Sequence, residues 1–386
     1  MSSRSEDVRE GYFRNVINYD TNMSRRVISA VQLMVSAMSG MVFGIAIEKG
    51  RVFEPHIIRE QMLFTNFTML KMFLTATATG MLGFSLLSMI PATIRQHDAV
   101  VDDFIFSLHS KSATGAAVGG AILGCGLTLA GACPGMVLAQ VGAQVPDAIF
   151  TMLGGLAGAY LYALTIPAVV RLFEPKHPYY YYTLDEYVHT PYFILALPLA
   201  ALLGMTVFAL ELFRPWMSEV EQSGSGLFES RAWPPYVAGL LIGSLQIPTV
   251  LSVSTTLGST TGYMTVASQI LVIKPLQSIF QHLQSFQTGI GNWWQVFYMG
   301  GAIFGANLSA TASSTIGSVQ GVGPWFSFCG GVLMIYGARV AGGCTSGHGL
   351  SGMGLLILLS FVAVPSMFAG GISLAVFMKY VIGVDM

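Results

Sequence analysis

Two cysteines in this chain each close a glycine-rich apolar run, and the two runs match. "GGAILGCGLTLAGAC" (119–133) and "GGVLMIYGARVAGGC" (330–344) coincide at six of fifteen positions: Gly119/Gly330, Gly120/Gly331, Gly126/Gly337, Ala130/Ala341, Gly131/Gly342 and Cys133/Cys344. Each cysteine precedes a helix interruption: Pro134-Gly135 in one repeat, Thr345-Ser346-Gly347-His348 in the other, the second entered through Gly343. A thiol is a weak donor and a weak acceptor. That suits a conduction path, where a site must admit an ion and then release it. A helix restarting after a break presents free N–H groups to an anion, and the Thr345 and Ser346 hydroxyls are suited to N-capping. Cys133, Cys344, Pro134, Gly135, Gly343, Thr345 and Ser346 are therefore candidate contacts for a small anion.

Other residues carry weaker signals, each with a plainer structural reading. A buried cysteine is more often a small hydrophobe than a reactive group, and Cys329 is read that way. Cys125 precedes Cys133 by eight residues, about 12 Å along a continuous helix, too far for a disulfide; it is kept as a further contact. Arg339 is a cation inside an apolar run, positioned to attract an anion or to snorkel to the interface. His348 follows Cys344 by four residues and on a helix shares its face. With no second cysteine-histidine cluster, packing or a polar pore contact fits it better than a metal. The tyrosine run 179–182 and Trp293-Trp294 read as interfacial belts. No catalytic set, metal site or cofactor site is expected.

These residues need a membrane to position them. Hydrophobic residues make up 53% of 386 and charged residues 10%, against roughly 25% charged in soluble domains. The net charge of -1 gives no basic nucleic-acid footprint. A crossing helix needs about 20 apolar residues. Runs at 27–48, 66–90, 113–131, 148–171, 192–213, 234–254, 294–311, 322–342 and 352–380 meet that, giving about nine spans. Apolar stretches at 134–145 and 260–275 are too short to cross and read as re-entrant helices, tolerated where protein or a wet cavity satisfies their backbone. The expected class is an all-α integral membrane protein.

The organisation expected is a polar N-terminal tail over 1–26, a first membrane repeat over 27–175, a linker with a connecting span over 176–233, and a second repeat over 234–386. The tail holds five arginines and four acids and lacks a signal peptide's apolar core. A weaker pair, "GMVFG" (40–44) and "GLLIG" (239–243), extends the repeat. Four spans per half joined by a fifth invert the second half, an inverted pseudo-twofold repeat that puts matching sites near the midplane. Cys133 and Cys344 then face each other across a central passage. Eleven of the eighteen Lys and Arg residues fall on the N-terminal side, favouring a cytoplasmic N-terminus in a plasma or inner membrane.

At "GCGLTLAGACPG" (124–135) and "YGARVAGGCTSGHGLSG" (336–352), with "FGIAIEKGRVF" (43–53) as a looser third segment, the sequence resembles the YeeE/YedE family of sulfur-compound transport proteins. The similarity covers about residues 30–380 and is thin at 172–191 and 214–232. The resemblance implies a nine-span, hourglass-like inverted repeat passing thiosulfate or a related sulfur anion, with cysteines as successive hydrogen-bonding stations. Family members often carry a further cysteine near the end of the first conserved segment, where this chain has Val52. Expected partners are the sulfur anion and the bilayer, with a sulfur-carrier protein or a second copy of the chain as further candidates. The competing class is a membrane-bound thiol or sulfur-handling oxidoreductase, but no C-x-x-C, haem pair or dinucleotide loop accompanies the cysteines. A membrane scaffold is the third, in which the cysteines are dispensable.

Overall fold

In the bilayer core every backbone polar group must be satisfied within the protein, which leaves helices as the form for so apolar a chain. The computed structural model describes residues 25–175, 179–220, 226 and 228–383, and among these the long elements are all helical. The expected polar tail therefore lies outside the described residues up to Met23 and Ser24, and Arg25 and Arg26 enter only as backbone.

The first half runs α1 (Arg25–Lys49), α2 (Pro55–Met62), α3 (Thr68–Met89), α4 (Ile94–Leu108), α5 (Ala113–Ala130), α6 (Met136–Gly142) and α7 (Ala148–Phe173). The short α8 (Leu184–Val188) and the long α9 (Tyr192–Phe213) join the halves. The second half holds α10 (Pro235–Ser244), α11 (Gln246–Val253), α12 (Thr260–Ser268), α13 (Lys274–Ile279), α14 (Ile290–Ala312) and α15 (Pro324–Ala341). A π-helical turn (Thr345–Gly352) and α16 (Ser360–Phe377) complete it.

Seven helices among the described residues are long and apolar enough to cross a membrane; α15 with its π-helical continuation, bent by 44°, makes an eighth. The helix α14 occupies the span expected at 294–311 and has 23 residues. It stays outside that set because Asn292, Gln295, Asn307 and Ser309 lower its hydropathy. Its buried residues, among them Tyr298, Ala302 and Ala306, instead serve contacts with neighbouring helices. At the two stretches expected to be re-entrant the chain forms α6 and α12, both too short to cross and both largely buried.

Close packing rests on glycine. The helices α5 and α15 cross antiparallel, Gly119 meeting Gly337 and Ala341 while Gly126 meets Gly330 and Met334. A Cβ on Gly119 would stand 2.3 Å from the Ala341 nitrogen, and one on Gly337 2.4 Å from the Leu123 nitrogen. Small residues of this kind let helix backbones approach where lipid offers no hydrophobic drive. α16 lies on α5 and α7 on α15, while α1 packs along α14 and α3 along α10.

Four basic residues counted towards orientation are not loose surface charges. Lys49, Arg51 and Lys71 are fully buried and Arg59 nearly so. Arg51 pairs with Glu48 and Glu54, and Lys71 lies 3.1 Å from both Glu211 and Glu219. Buried ions need such partners. Arg59, on α2, donates from Nε to the Thr128 carbonyl at 3.0 Å and from Nη2 to the Leu129 carbonyl at 2.8 Å. It thus satisfies the carbonyl end of α5, where a cation also suits the helix dipole. Arg59→Leu is expected to lower stability by about 1–3 kcal/mol, read as an earlier thermal unfolding in detergent.

Candidate functional site

The site is built where α5 and α15 stop. Each ends in a left-handed glycine, Gly131 at φ +57° and Gly342 at φ +93°, a conformation that costs other residues a steric clash. The Gly131 and Gly342 N–H groups return to the Leu127 and Ala338 carbonyls, closing the last turns. Both chains then reverse, and Cys133 and Cys344 come next, both buried and both free thiols.

The reversed segments are pinned in parallel ways. Gln140 of α6 donates from Nε2 to the Gly131 carbonyl at 3.0 Å and the Phe53 carbonyl at 2.8 Å. His348 of the π-helical turn is fully buried, with Nδ1 2.9 Å from Ser360 Oγ and Nε2 3.2 Å from the Ala341 carbonyl. Each side chain ties its returning segment to the end of the helix just left. His348 is thus a packed, hydrogen-bonded residue, and Gly343 lies under its ring, where a Cβ would meet Cδ2 at 2.9 Å.

Cys133 and Cys344 come within electrostatic range of each other, and the Thr345 hydroxyl lies at hydrogen-bonding reach of Cys133. The Cys133 sulfur accepts from the Met136 N–H at 3.4 Å, and the Cys344 sulfur lies 3.1 Å from Ser346 Oγ. Cys133, Gly135, Thr345 and Ser346 open on a cavity whose remaining wall is apolar and includes Phe43, Met69, Met72, Phe73 and Met136. A second apolar cavity, with Met62, Met367 and Phe368, shares Thr345, Met69 and Phe73 with the first.

Of the residues singled out in the sequence, Cys133, Pro134, Gly135, Cys344, Thr345 and Ser346 are thus brought together. Cys125 sits apart, its sulfur 3.5 Å from the Gly370 carbonyl at the α5–α16 contact. Arg339 lies on the last turn of α15 among aromatic rings, its guanidinium carbon 5.7 Å from the Tyr162 ring and 5.2 Å from that of Phe286. Cys329, read as a packed hydrophobe, is exposed near the start of α15. Val52, standing where a further thiol was sought, is fully buried.

Two tyrosines were not anticipated. Tyr263 of α12 and Tyr298 of α14 are buried within electrostatic range of both thiols, and the Tyr263 hydroxyl donates to the Pro134 carbonyl at 3.4 Å. The methionine wall was also missed. A signal for it exists on α3, where Met69, Met72 and Phe73 fall at i, i+3 and i+4 and so share a face.

The arrangement offers the Cys133 thiol and the Thr345 and Ser346 hydroxyls, with the Cys344 thiol beside them, at a largely apolar cavity walled by soft, polarizable side chains, with no group of three or more metal-ligating side chains among the described residues. A profile of the family described as "Sulphur transport" matches residues 49–373. The Thiosulfate transporter TsuA of Escherichia coli (strain K12) is 25% identical over 336 residues, covering 82% of this chain and 86% of its own length. The match begins at the end of α1, runs through both cysteine turns and stops within α16: the chain is a multi-pass membrane protein that belongs to the sulphur transport family.

Proposed function

We propose that this protein moves thiosulfate across the membrane along a path that passes Cys133 and Cys344. The observation that carries the reading is a cavity inside the helix bundle lined by Cys133, Thr345 and Ser346, with the Cys344 thiol held against Ser346 and within electrostatic range of Cys133. Thiosulfate is a small dianion with a soft terminal sulfur, and its charge cannot enter hydrocarbon unaided. Thiols and hydroxyls replace part of its hydration shell, each bond weak enough to be given up at the next step. The methionine sulfurs around the cavity suit the soft end of the ion.

The packing scheme supports an inverted repeat as the frame of this path. Exchanging α1 with α10–α11, α3 with α14, α5 with α15 and α7 with α16 preserves the main pairs among these helices, while the connecting α9 packs on α3 alone of the α3/α14 pair. The glycines follow the same exchange. Gly40 and Gly44 meet the α14 backbone as Gly239 and Gly243 meet that of α3, and Gly120 meets α16 as Gly331 meets α7. In such a frame the two cysteine turns are symmetry mates at the interface of the halves.

The test is uptake of labelled thiosulfate into proteoliposomes. Accumulation above empty liposomes, competed by unlabelled thiosulfate more strongly than by sulfate, is expected. Protein that reconstitutes in folded form yet carries no thiosulfate refutes the reading.

A further inference from the structure

We propose that Lys111, Arg339 and His282 form a second anion site, at the end of α15 and outside the cysteine cavity, that holds a small tetrahedral oxyanion such as sulfate or thiosulfate. The three come from distant parts of the chain: the turn before α5, the last turn of α15, and the 3-10 helix Gln281–Phe286 between α13 and α14. They gather around one side chain, Tyr162 of α7. Lys111 Nζ lies 5.4 Å and the Arg339 guanidinium carbon 5.7 Å from the Tyr162 ring centre, and the His282 ring centre 5.9 Å from it. Phe286 closes the other side, 5.2 Å from the Arg339 guanidinium and 5.5 Å from the His282 ring. Lys111, Arg339 and His282 are all half-buried.

The donors suit an oxyanion. A guanidinium offers a planar fork that matches two oxygens of a tetrahedral anion, and the aromatic walls fix its plane. Lys111 Nζ donates to the Tyr162 hydroxyl at 3.1 Å and to the Arg339 carbonyl at 2.9 Å. The Tyr162 oxygen thereby accepts, leaving its own O–H to be given away. Burial, and then Arg339 and Lys111, push the His282 imidazole down to about 4. It is neutral at physiological pH and carries one N–H to donate, beside two fixed positive charges. Neither these residues nor Tyr162 line the cysteine cavity. Arg339 nonetheless precedes Cys344 by only five residues, which places the site beside the second cysteine turn. Its role as a loading or release station rests on the proposed transport function; its existence does not.

Calorimetric titration of sulfate and thiosulfate into the Cys133→Ala/Cys344→Ala protein, in nanodiscs of phosphatidylcholine, isolates this site. Binding is expected to persist in that background and to weaken at least about tenfold when Arg339→Gln is added, the size expected for loss of one charged hydrogen bond. Arg339→Lys is expected to retain part of it, and unchanged thermal unfolding certifies each variant as folded. Binding that is absent from the Cys133→Ala/Cys344→Ala protein, or indifferent to Arg339→Gln, overturns the proposal. Nanodiscs with added phosphatidylglycerol separate the other source of the same chemistry. Arg339-dependent capture of that lipid, with no binding of the free ions, assigns the site to a headgroup and overturns the free-anion role. Thiosulfate uptake by wild-type protein with no such site leaves the transport reading standing, so the two failures are distinguishable.

Discussion

Cys133→Ala and Cys344→Ala are each expected to abolish most thiosulfate uptake while expression, membrane insertion and thermal unfolding stay close to wild type. Each replacement removes one small buried side chain and leaves the preceding turn intact, because Gly131 and Gly342 and the pins Gln140 and His348 set that turn without the thiol. What is lost is a donor to a desolvated dianion. A hydrogen bond to a charged group is worth about 1.5–3 kcal/mol, so each loss corresponds to about a ten- to hundredfold slower passage. The two thiols lie within electrostatic range of each other, so the double variant is expected to be little worse than either single one, as is usual for groups acting on one ion at one place. Initial rates of labelled thiosulfate uptake into proteoliposomes at matched protein content measure this. Normal rates in both single variants would remove the cysteines from the path and return them to packing.

Gly119→Ala is expected to have a large structural effect for a single added methyl. The new Cβ would stand 2.3 Å from the Ala341 nitrogen and 2.8 Å from the Gly337 carbonyl oxygen, and both neighbours are backbone. No side chain can rotate away, so α5 and α15 must separate. Overpacking of a core costs about 1–3 kcal/mol where side chains adjust, and a backbone-to-backbone clash belongs at or above the top of that range. Since these two helices carry the two cysteine turns, uptake falls together with stability. Gly204→Ala on α9 is the control. Nothing lies within 4 Å of a Cβ there, and Ala is favoured over Gly in a helix by about 0.8–1 kcal/mol. Thermal unfolding in one detergent should therefore show opposite shifts for the two variants. A Gly119→Ala protein as stable as wild type would contradict the close approach of α5 and α15.

Much of the fold was legible because hydropathy is a local property. Each apolar run of about 20 residues reports its own transfer to lipid, so nearly every long helix falls where the runs predict it. Hydropathy alone does not show what a helix faces: α14 fills the run expected at 294–311, yet its polar side chains find protein partners, Gln295 accepting from the Gly262 N–H at 2.8 Å and Asn307 donating to the Gly142 carbonyl at 2.9 Å. Lys49, Arg51 and Lys71 mislead in the same way. In sequence Lys49 and Arg51 are loop charges and Lys71 lies near the start of the run at 66–90, and only the folded chain supplies Glu48, Glu54, Glu211 and Glu219 to bury them with.

By itself the sequence determined that this chain lives in a membrane and that Cys133 and Cys344 sit at matching breaks in matching helices. A matched glycine two residues before each cysteine and a helix interruption after it are written within a few consecutive residues. Only the tertiary structure decided which thiols come together, bringing Cys344 close to Cys133 while Cys125 packs against Gly370 and Cys329 is exposed. It also brought Tyr263, Tyr298 and the Met69–Phe73 face to the site, and gathered Lys111, Arg339 and His282 around Tyr162. The physical reason is that these contacts join segments more than a hundred residues apart along the chain in most cases. A side chain's sequence neighbours set its local conformation, while its chemical surroundings are set by whichever helix the packing of glycine against backbone brings alongside it.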